Sequence, residues 1–161
     1  MSKENGDLQA IEVLKAELGK AVLEVRKPRD GRIFVKIERD SLREAVNVLV
    51  KDGFTHLTTI TGVDLGTELE ILYHLNREGK LLSLSIKVPE DKPIVPTITD
   101  IIPGATLYER EVHDLFGVIF EGHPNLSRLV LPEDWPEGLH PLRKRYSVED
   151  IRKAVEGSGR S

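Results

Sequence analysis

The chain has 161 residues, with 23 Lys and Arg against 27 Asp and Glu, a formal net charge of -4, and no cysteine. That length suits one compact domain, which buries roughly 70% of its unfolded-state surface. Absent cysteine excludes a disulfide framework, a zinc ribbon and a thiolate-held iron–sulfur cluster. Mild acidity argues against a nucleic-acid binder that works by phosphate neutralisation. No unbroken apolar run exceeds three residues, so no segment reads as a transmembrane helix, and the polar start Met1–Gly6 lacks the apolar core of a signal peptide. The expectation is a soluble intracellular domain. Gln occurs once and Asn four times beside abundant Glu, Lys and Arg, a balance that fits a thermophile's protein.

Leu8, Ile11, Leu14 and Leu18 recur at steps of three and four, which predicts a helix over 7–20 with Asp7 as N-cap and Gly19 near its end. Short β-branched runs at 21–26 and 32–38 flank Pro28-Arg29-Asp30-Gly31 and read as a hairpin. Ile33, Val35 and Ile37 alternate with polar residues, so one face of the second strand is expected to be buried. Ser41 and Glu44 have the spacing of a capping box ahead of Leu42, Ala45, Val46 and Leu49, which predicts a second amphipathic helix closed by Asp52-Gly53. Three strands follow at 54–63, 68–75 and 81–88, the last two joined by the hairpin signal Asn76-Arg77-Glu78-Gly79. This order predicts the α+β class, with a mixed, largely antiparallel sheet packed with helices.

After Val88 the texture changes. Pro89, Pro93, Pro96 and Pro103 break up the chain around a short segment at 98–102, and 105–116 then forms a predicted third helix ended by Gly117. Pro124, Pro132, Pro136 and Pro141 recur as far as Tyr146 without periodicity. Such a stretch builds no core of its own, yet it is too rich in Leu, Phe and Trp for a solvated linker. Either it folds back on the domain or it lies across another protein. A last short helix is predicted over 147–155, with a frayed end at Gly157–Ser161.

The densest group of functional side chains is Glu109-Arg110-Glu111-Val112-His113-Asp114. On a helix, Arg110 and Asp114 are i,i+4 neighbours, as are Glu109 and His113. Two carboxylates and a histidine on one face are able to hold a divalent ion in a free-standing metal-dependent enzyme. The run fits better an ion-paired helix that anchors the proline-rich segment after it, because the ligands are few and Arg110 would repel a cation. The five histidines show no H-x-x-x-H or H-E-x-x-H spacing, and no nucleophile-elbow, P-loop or Rossmann pattern occurs. Arg143-Lys144-Arg145 beside Trp135 and Tyr146 fits a contact with an acidic partner, or a solvated face, better than a nucleic-acid site.

The run Tyr108-Glu109-Arg110-Glu111-Val112-His113-Asp114-Leu115-Phe116-Gly117 resembles the signature helix of the 30 kDa subunit family of respiratory complex I, the C-type subunit of NADH dehydrogenase. Phe120-Glu121-Gly122-His123-Pro124-Asn125-Leu126 with Arg128 is similar to that family's F-x-G-H-P-x-L pattern. Glu133-Asp134-Trp135 and Pro141-Leu142-Arg143-Lys144 resemble its D-W…P-L-R-K ending. The spacing from Trp135 to Pro141 and the short chain look most like the homologous subunit of complex-I-related membrane-bound NiFe hydrogenases of thermophilic archaea. Leu107, Ser127 and Arg145 depart from the family pattern, which often has Trp, Arg and Asp there.

The resemblance implies a globular α+β domain over 1–117 and an extended partner-binding tail with a short terminal helix over 118–161. It implies a structural subunit of the hydrophilic arm, without a cofactor of its own, whose NiFe centre and iron–sulfur clusters sit in partner subunits. Those partners would be the large catalytic subunit, of the 49 kDa or hydrogenase large-subunit type, and the iron–sulfur subunits. Attachment to the cytoplasmic side of the membrane would run through them. On this reading no residue of the chain is catalytic. Glu109, Arg110, Glu111 and Asp114 would fix the helix, with Phe116 and Gly117 at its end. Gly122, His123, Pro124 and Arg128 would direct the tail outward. Phe120, Asp134, Trp135, Pro141, Leu142, Arg143 and Lys144 complete the expected interface.

Overall fold

A computed structural model of the chain describes residues 2–159, with side chains from Gly6 onward. In chain order the elements are α1 (Ser2–Leu18), β1 (Val22–Arg29), β2 (Arg32–Ile37), α2 (Leu42–Lys51), β3 (His56–Asp64), β4 (Glu68–Arg77) and β5 (Lys80–Pro89). They continue with β6 (Ile94–Pro96), α3 (Ala105–Phe116), β7 (Ile119–Glu121) and α4 (Val148–Ser158). The fold is α+β. Five strands form one sheet in the order β1-β2-β5-β4-β3, antiparallel except where β2 meets β5.

Period-two alternation decides which face is buried. Ile33, Val35 and Ile37 on β2, Leu69, Ile71, Tyr73 and Leu75 on β4, and Leu82, Leu84, Ile86 and Val88 on β5 are each at most 2% exposed. Against them lie Ala10, Ile11, Leu14 and Leu18 of α1 and Leu42, Ala45, Val46 and Leu49 of α2. The opposite face of the sheet carries a polar ladder, in which the His74 ring nitrogens meet Thr61 Oγ1 at 3.0 Å and Ser83 Oγ at 2.8 Å, and Ser85 donates to Glu70 at 2.6 Å. The β4–β5 hairpin turns through Glu78 and Gly79, both at positive φ, as a two-residue connection between right-twisted strands requires.

Three local expectations change. The helix α1 starts before Asp7, so Asp7 is no N-cap: it is a buried carboxylate that accepts from Gly31 N at 3.1 Å and pairs with Lys27 and Lys80 at 3.5 Å each. The Ser41–Glu44 capping box does not form. A tight 3-10 turn over 39–41 leaves Ser41 at φ -94° and ψ 3°, outside the extended region an N-cap needs. The first hairpin is tighter than expected, since β1 runs through Pro28 and Arg29, with an irregular register, to a turn at Asp30-Gly31.

The small parallel pair β6 and β7 went unpredicted. Each strand has three residues, one with a proline, too few for an alternating pattern to register. Phe120 of β7 is buried beneath it. The last helix runs to Ser158, beyond the expected 155, and its capping box is real: Asp150 N donates to Ser147 Oγ and Ser147 N to Asp150 Oδ2. Gly157 and Ser158 therefore belong to a helix with Gly159 as its C-cap, and Arg160 and Ser161 lie outside the described residues.

Candidate functional site

The site is assembled on α3, whose stripes point to different neighbours. Ala105, Glu109, Val112 and Phe116, spaced by three and four, face the core. Phe116 packs so closely on β3 that a Cβ on Gly62 would stand 2.6 Å from its ring. Glu109 is fully buried: its two oxygens accept from Ile98 N at 2.8 Å and Thr97 Oγ1 at 2.6 Å, and His123 Nε2 lies 3.9 Å away. Burial pushes its carboxyl above the usual range, only partly offset by these donors. Tyr73, fully buried and raised by desolvation and by Glu109, has no hydrogen-bond partner for its hydroxyl among the described residues.

The next stripe, Leu107, Arg110 and Asp114, receives the segment after β7. Arg110 donates from Nε to Ser127 O at 3.0 Å, and from Nη2 to Ser127 Oγ at 3.1 Å and Arg128 O at 2.6 Å. One turn on, Asp114 Oδ2 accepts three successive backbone N–H groups, from Leu129 at 2.8 Å, Val130 at 2.8 Å and Leu131 at 3.2 Å. Burial alone would raise the Asp114 carboxyl, but those three donors outweigh it and hold the group below its ordinary value.

Residues 122–146 thus form a strap without helix or strand that is hung on α3. Gly122 and Pro124 are exposed at its start. His123, with its side chain fully buried, donates from Nε2 to Thr106 O at 3.0 Å, while its Nδ1 accepts from Asn125 N at 3.0 Å, which fixes the neutral tautomer. From here the chain runs along α3, where Arg110 and Asp114 take up the backbone polar groups of 127–131. Arg128 Nη1 bridges Pro132 O at 3.0 Å and Glu133 O at 2.9 Å, and Trp135 Nε1 donates to Leu139 O at 2.8 Å. A cleft of about 300 Å³, bordered by His113, Trp135 and His140, remains between helix and strap.

The strap closes on Gly117, whose left-handed φ of 77° ends α3 and whose absent side chain leaves room for the His140 ring. Beyond Pro141, Leu142 N donates to Leu115 O at 3.0 Å, and Arg143 is 6% exposed, with Nε on Phe116 O and Nη2 on Glu90 O at 3.0 Å. Lys144 is exposed, but its backbone N donates to Asp64 Oδ2 at 2.9 Å. Among the exposed side chains of helix and strap are four large apolar ones, Leu107 54%, Leu129 40%, Val130 54% and Leu142 52% exposed, beside charged ones such as Glu133, Asp134, Glu137 and Lys144.

The quartet of Glu109, Glu111, His113 and Asp114 does not converge. Glu109 faces Thr97, Asp114 faces the strap, His113 Nδ1 bonds Val118 O at 2.8 Å, and Glu111 has no polar partner among the described residues. Among the described residues no group of three or more His, Cys, Asp or Glu side chains stands where it could hold a metal ion. Asp134 is exposed, apart from this cluster. Sequence reasoning missed Glu90, Asp64 and Thr97, acceptors and donors whose role depends on residues 53 to 80 positions away or, for Thr97, on a buried partner.

The model of the respiratory-chain NADH dehydrogenase 30 kDa subunit family matches residues 35–152. The C-subunit of NADH-quinone oxidoreductase from Roseiflexus sp. is 41% identical over 144 residues, covering 83% of this chain and 80% of its own length. That of Acidothermus cellulolyticus is 36% identical over 137 residues, covering 80% and 70%. Across similar curated relatives, the chain spans between 58% and 80% of their length. Among solved structures, a chain of the membrane-bound sulfane sulfur reductase, an archaeal respiratory membrane complex, superposes with a TM-score of 0.76 at 29% identity, covering 92% of this chain and 89% of that one. On the matched motifs, the shared fold and these identities, the chain belongs to the 30 kDa subunit family of the respiratory-chain NADH dehydrogenase.

Proposed function

We propose that the chain is a structural subunit of the hydrophilic arm of a complex-I-like, membrane-bound respiratory complex, and that α3 with its strap is the face that docks the large catalytic subunit. One observation carries this. Arg110 and Asp114 take the backbone of 127–131 inward, and Leu129, Val130 and Leu142 of the strap, with Leu107 of α3, stand exposed. A segment held in one arrangement, with its apolar side chains in water, is a surface prepared for a protein partner. Trp135 and the cleft beside it supply the anchoring type of residue and pocket found at interface centres. The chain itself carries no chemistry in this role. The NiFe centre or other acceptor site, and the iron–sulfur clusters, belong to the large subunit and the iron–sulfur subunits, through which the chain reaches the cytoplasmic side of the membrane. No helix among the described residues is long and apolar enough to cross it.

The proposed host is one of the hydrogenase and sulfur-reductase relatives. The support is the likeness of fold: the sulfur-reductase subunit superposes with a TM-score of 0.76 over 92% of this chain. The higher identity, 41%, to a quinone-reductase subunit supports the second reading, a quinone-reducing host.

A tagged chain isolated from native membranes tests both levels. The expected result is co-purification with a large catalytic subunit, and the activity recovered, hydrogen evolution, sulfur reduction or quinone reduction, assigns the host. Val130→Asp, which puts a charge on the exposed face, is expected to lower recovery of the large subunit about tenfold. Undiminished recovery and activity would remove α3 and the strap from the interface.

A further inference from the structure

We infer that Glu90 is a positioning residue: together with Arg143, Arg145 and Asp64 it forms an ionic latch that keeps the strap folded on its own domain in the free subunit, before any partner is present. Glu90 follows the end of β5, and Asp64 is the last residue of β3. Asp64 is part of the sheet and Glu90 is the first residue beyond it; neither belongs to the strap. Arg143 reaches Glu90 twice, from Nη1 to Oε2 at 3.1 Å and from Nη2 to the carbonyl at 3.0 Å. Arg145 Nη2 spans both carboxylate oxygens of the same residue at 2.7 and 2.8 Å. Between these two arginines the chain is held by its backbone, as Lys144 N donates to Asp64 Oδ2 at 2.9 Å while Asp64 Oδ1 takes Gly66 N at 2.8 Å.

Three successive residues are therefore tied to two carboxylates that sit at the same end of the sheet. The Arg143 side chain is only 7% exposed, so its charge needs a partner, and Glu90, 28% exposed, is the carboxylate that provides it. Charge-assisted bonds of this kind, one of them to a largely dehydrated guanidinium, are the strong ones. Upstream of the latch the strap is anchored by Arg110 and Asp114, so it is fastened at both ends and its apolar side chains are fixed in one arrangement. The consequence for assembly rests on the docking reading above: a face already ordered spares the partner the entropy of ordering it. The latch itself does not depend on that reading, because it is a property of the isolated chain.

Hydrogen exchange on the purified full-length chain, without any partner, tests it. In the wild type the amides of Leu142, Arg143 and Lys144 are expected to be protected. Glu90→Ala should speed their exchange about tenfold or more while the amides of β4 and β5 keep their rates. Arg145→Glu, at a half-exposed position that leaves the core alone, should act in the same direction by setting a like charge against Glu90. Raising salt from about 0.05 to 1 M should screen the half-exposed Arg145–Glu90 contact and speed exchange in the wild-type strap, and leave the Glu90→Ala strap unchanged, a response packing alone would not give. Wild-type strap amides as unprotected as those of Glu90→Ala, or no effect of Arg145→Glu and salt, would overturn the latch. A failure of Val130→Asp to weaken co-purification would instead overturn the docking reading and leave these rates untouched.

Discussion

Asp114 shows how one side chain can stand in for a secondary structure. The backbone of 129–131 has no strand or helix to accept its N–H groups, and a single carboxylate oxygen accepts all three. Asp114→Ala would leave them without that acceptor in a half-buried place, and is expected to lower stability by about 3 kcal/mol. Denaturant unfolding checks the size, and proteolysis of the strap checks the place: a variant within about 0.5 kcal/mol of wild type would show the carboxylate to be dispensable. In the sequence, Asp114 was legible as part of a charged helix. That it faces the strap and not a metal was not, because its partners are backbone groups, which every residue possesses.

At the scale of elements, α3 was readable to the residue. Its apolar spacing and the glycine after it obey local rules, and the observed helix is Ala105–Phe116 with a left-handed Gly117. Its placement on β3 was not readable, since nothing local marks Gly62 as a strand residue kept bare for the Phe116 ring. Gly62→Ala would press a methyl to 2.6 Å from that ring and is expected to cost about 1–3 kcal/mol. A thermal midpoint equal to wild type would mean that α3 can shift without loss. The failed capping box at Ser41 and the real one at Ser147 make the complementary point: spacing proposes a cap, and the backbone angle at the first residue decides it. For the strap, aperiodicity with Leu and Trp left two courses open, back onto the domain or across a partner. The fold-back is what the chain adopts, and it turns a tail into a shaped face.

For the whole molecule, buried carboxylates act with opposite signs. Asp64 and Asp114 are held below their ordinary values; burial opposes this, and the backbone donors with nearby positive charge prevail. Their contribution is present above the unfolded value near 3.9 and is lost as pH falls through the folded values. Glu109 is raised by burial, so it does the reverse: in the folded chain it holds its proton to higher pH, and stability declines as pH rises from about 4.3 through its folded value. Half-buried His74 and His140, both lowered by desolvation, add a loss of stability on acidification below about 6.5. Comparing thermal midpoints of wild type and Glu109→Gln across pH isolates the Glu109 part. The variant should gain on wild type as pH rises, and parallel curves would refute the assignment.

By itself the sequence determined the α+β class, the third helix and membership of the family, because periodicity, turn residues and ordered motifs are written locally along the chain. It also excluded a thiolate-held iron–sulfur cluster within these 161 residues, since such a site needs cysteines and there are none. Tertiary structure alone decided the pairing of β2 with β5 and of β6 with β7, the burial of Asp7 and Glu109, and the return of the strap to α3. Each of these joins residues far apart in the chain through backbone groups or desolvation. Neither of those leaves a pattern in the order of side chains.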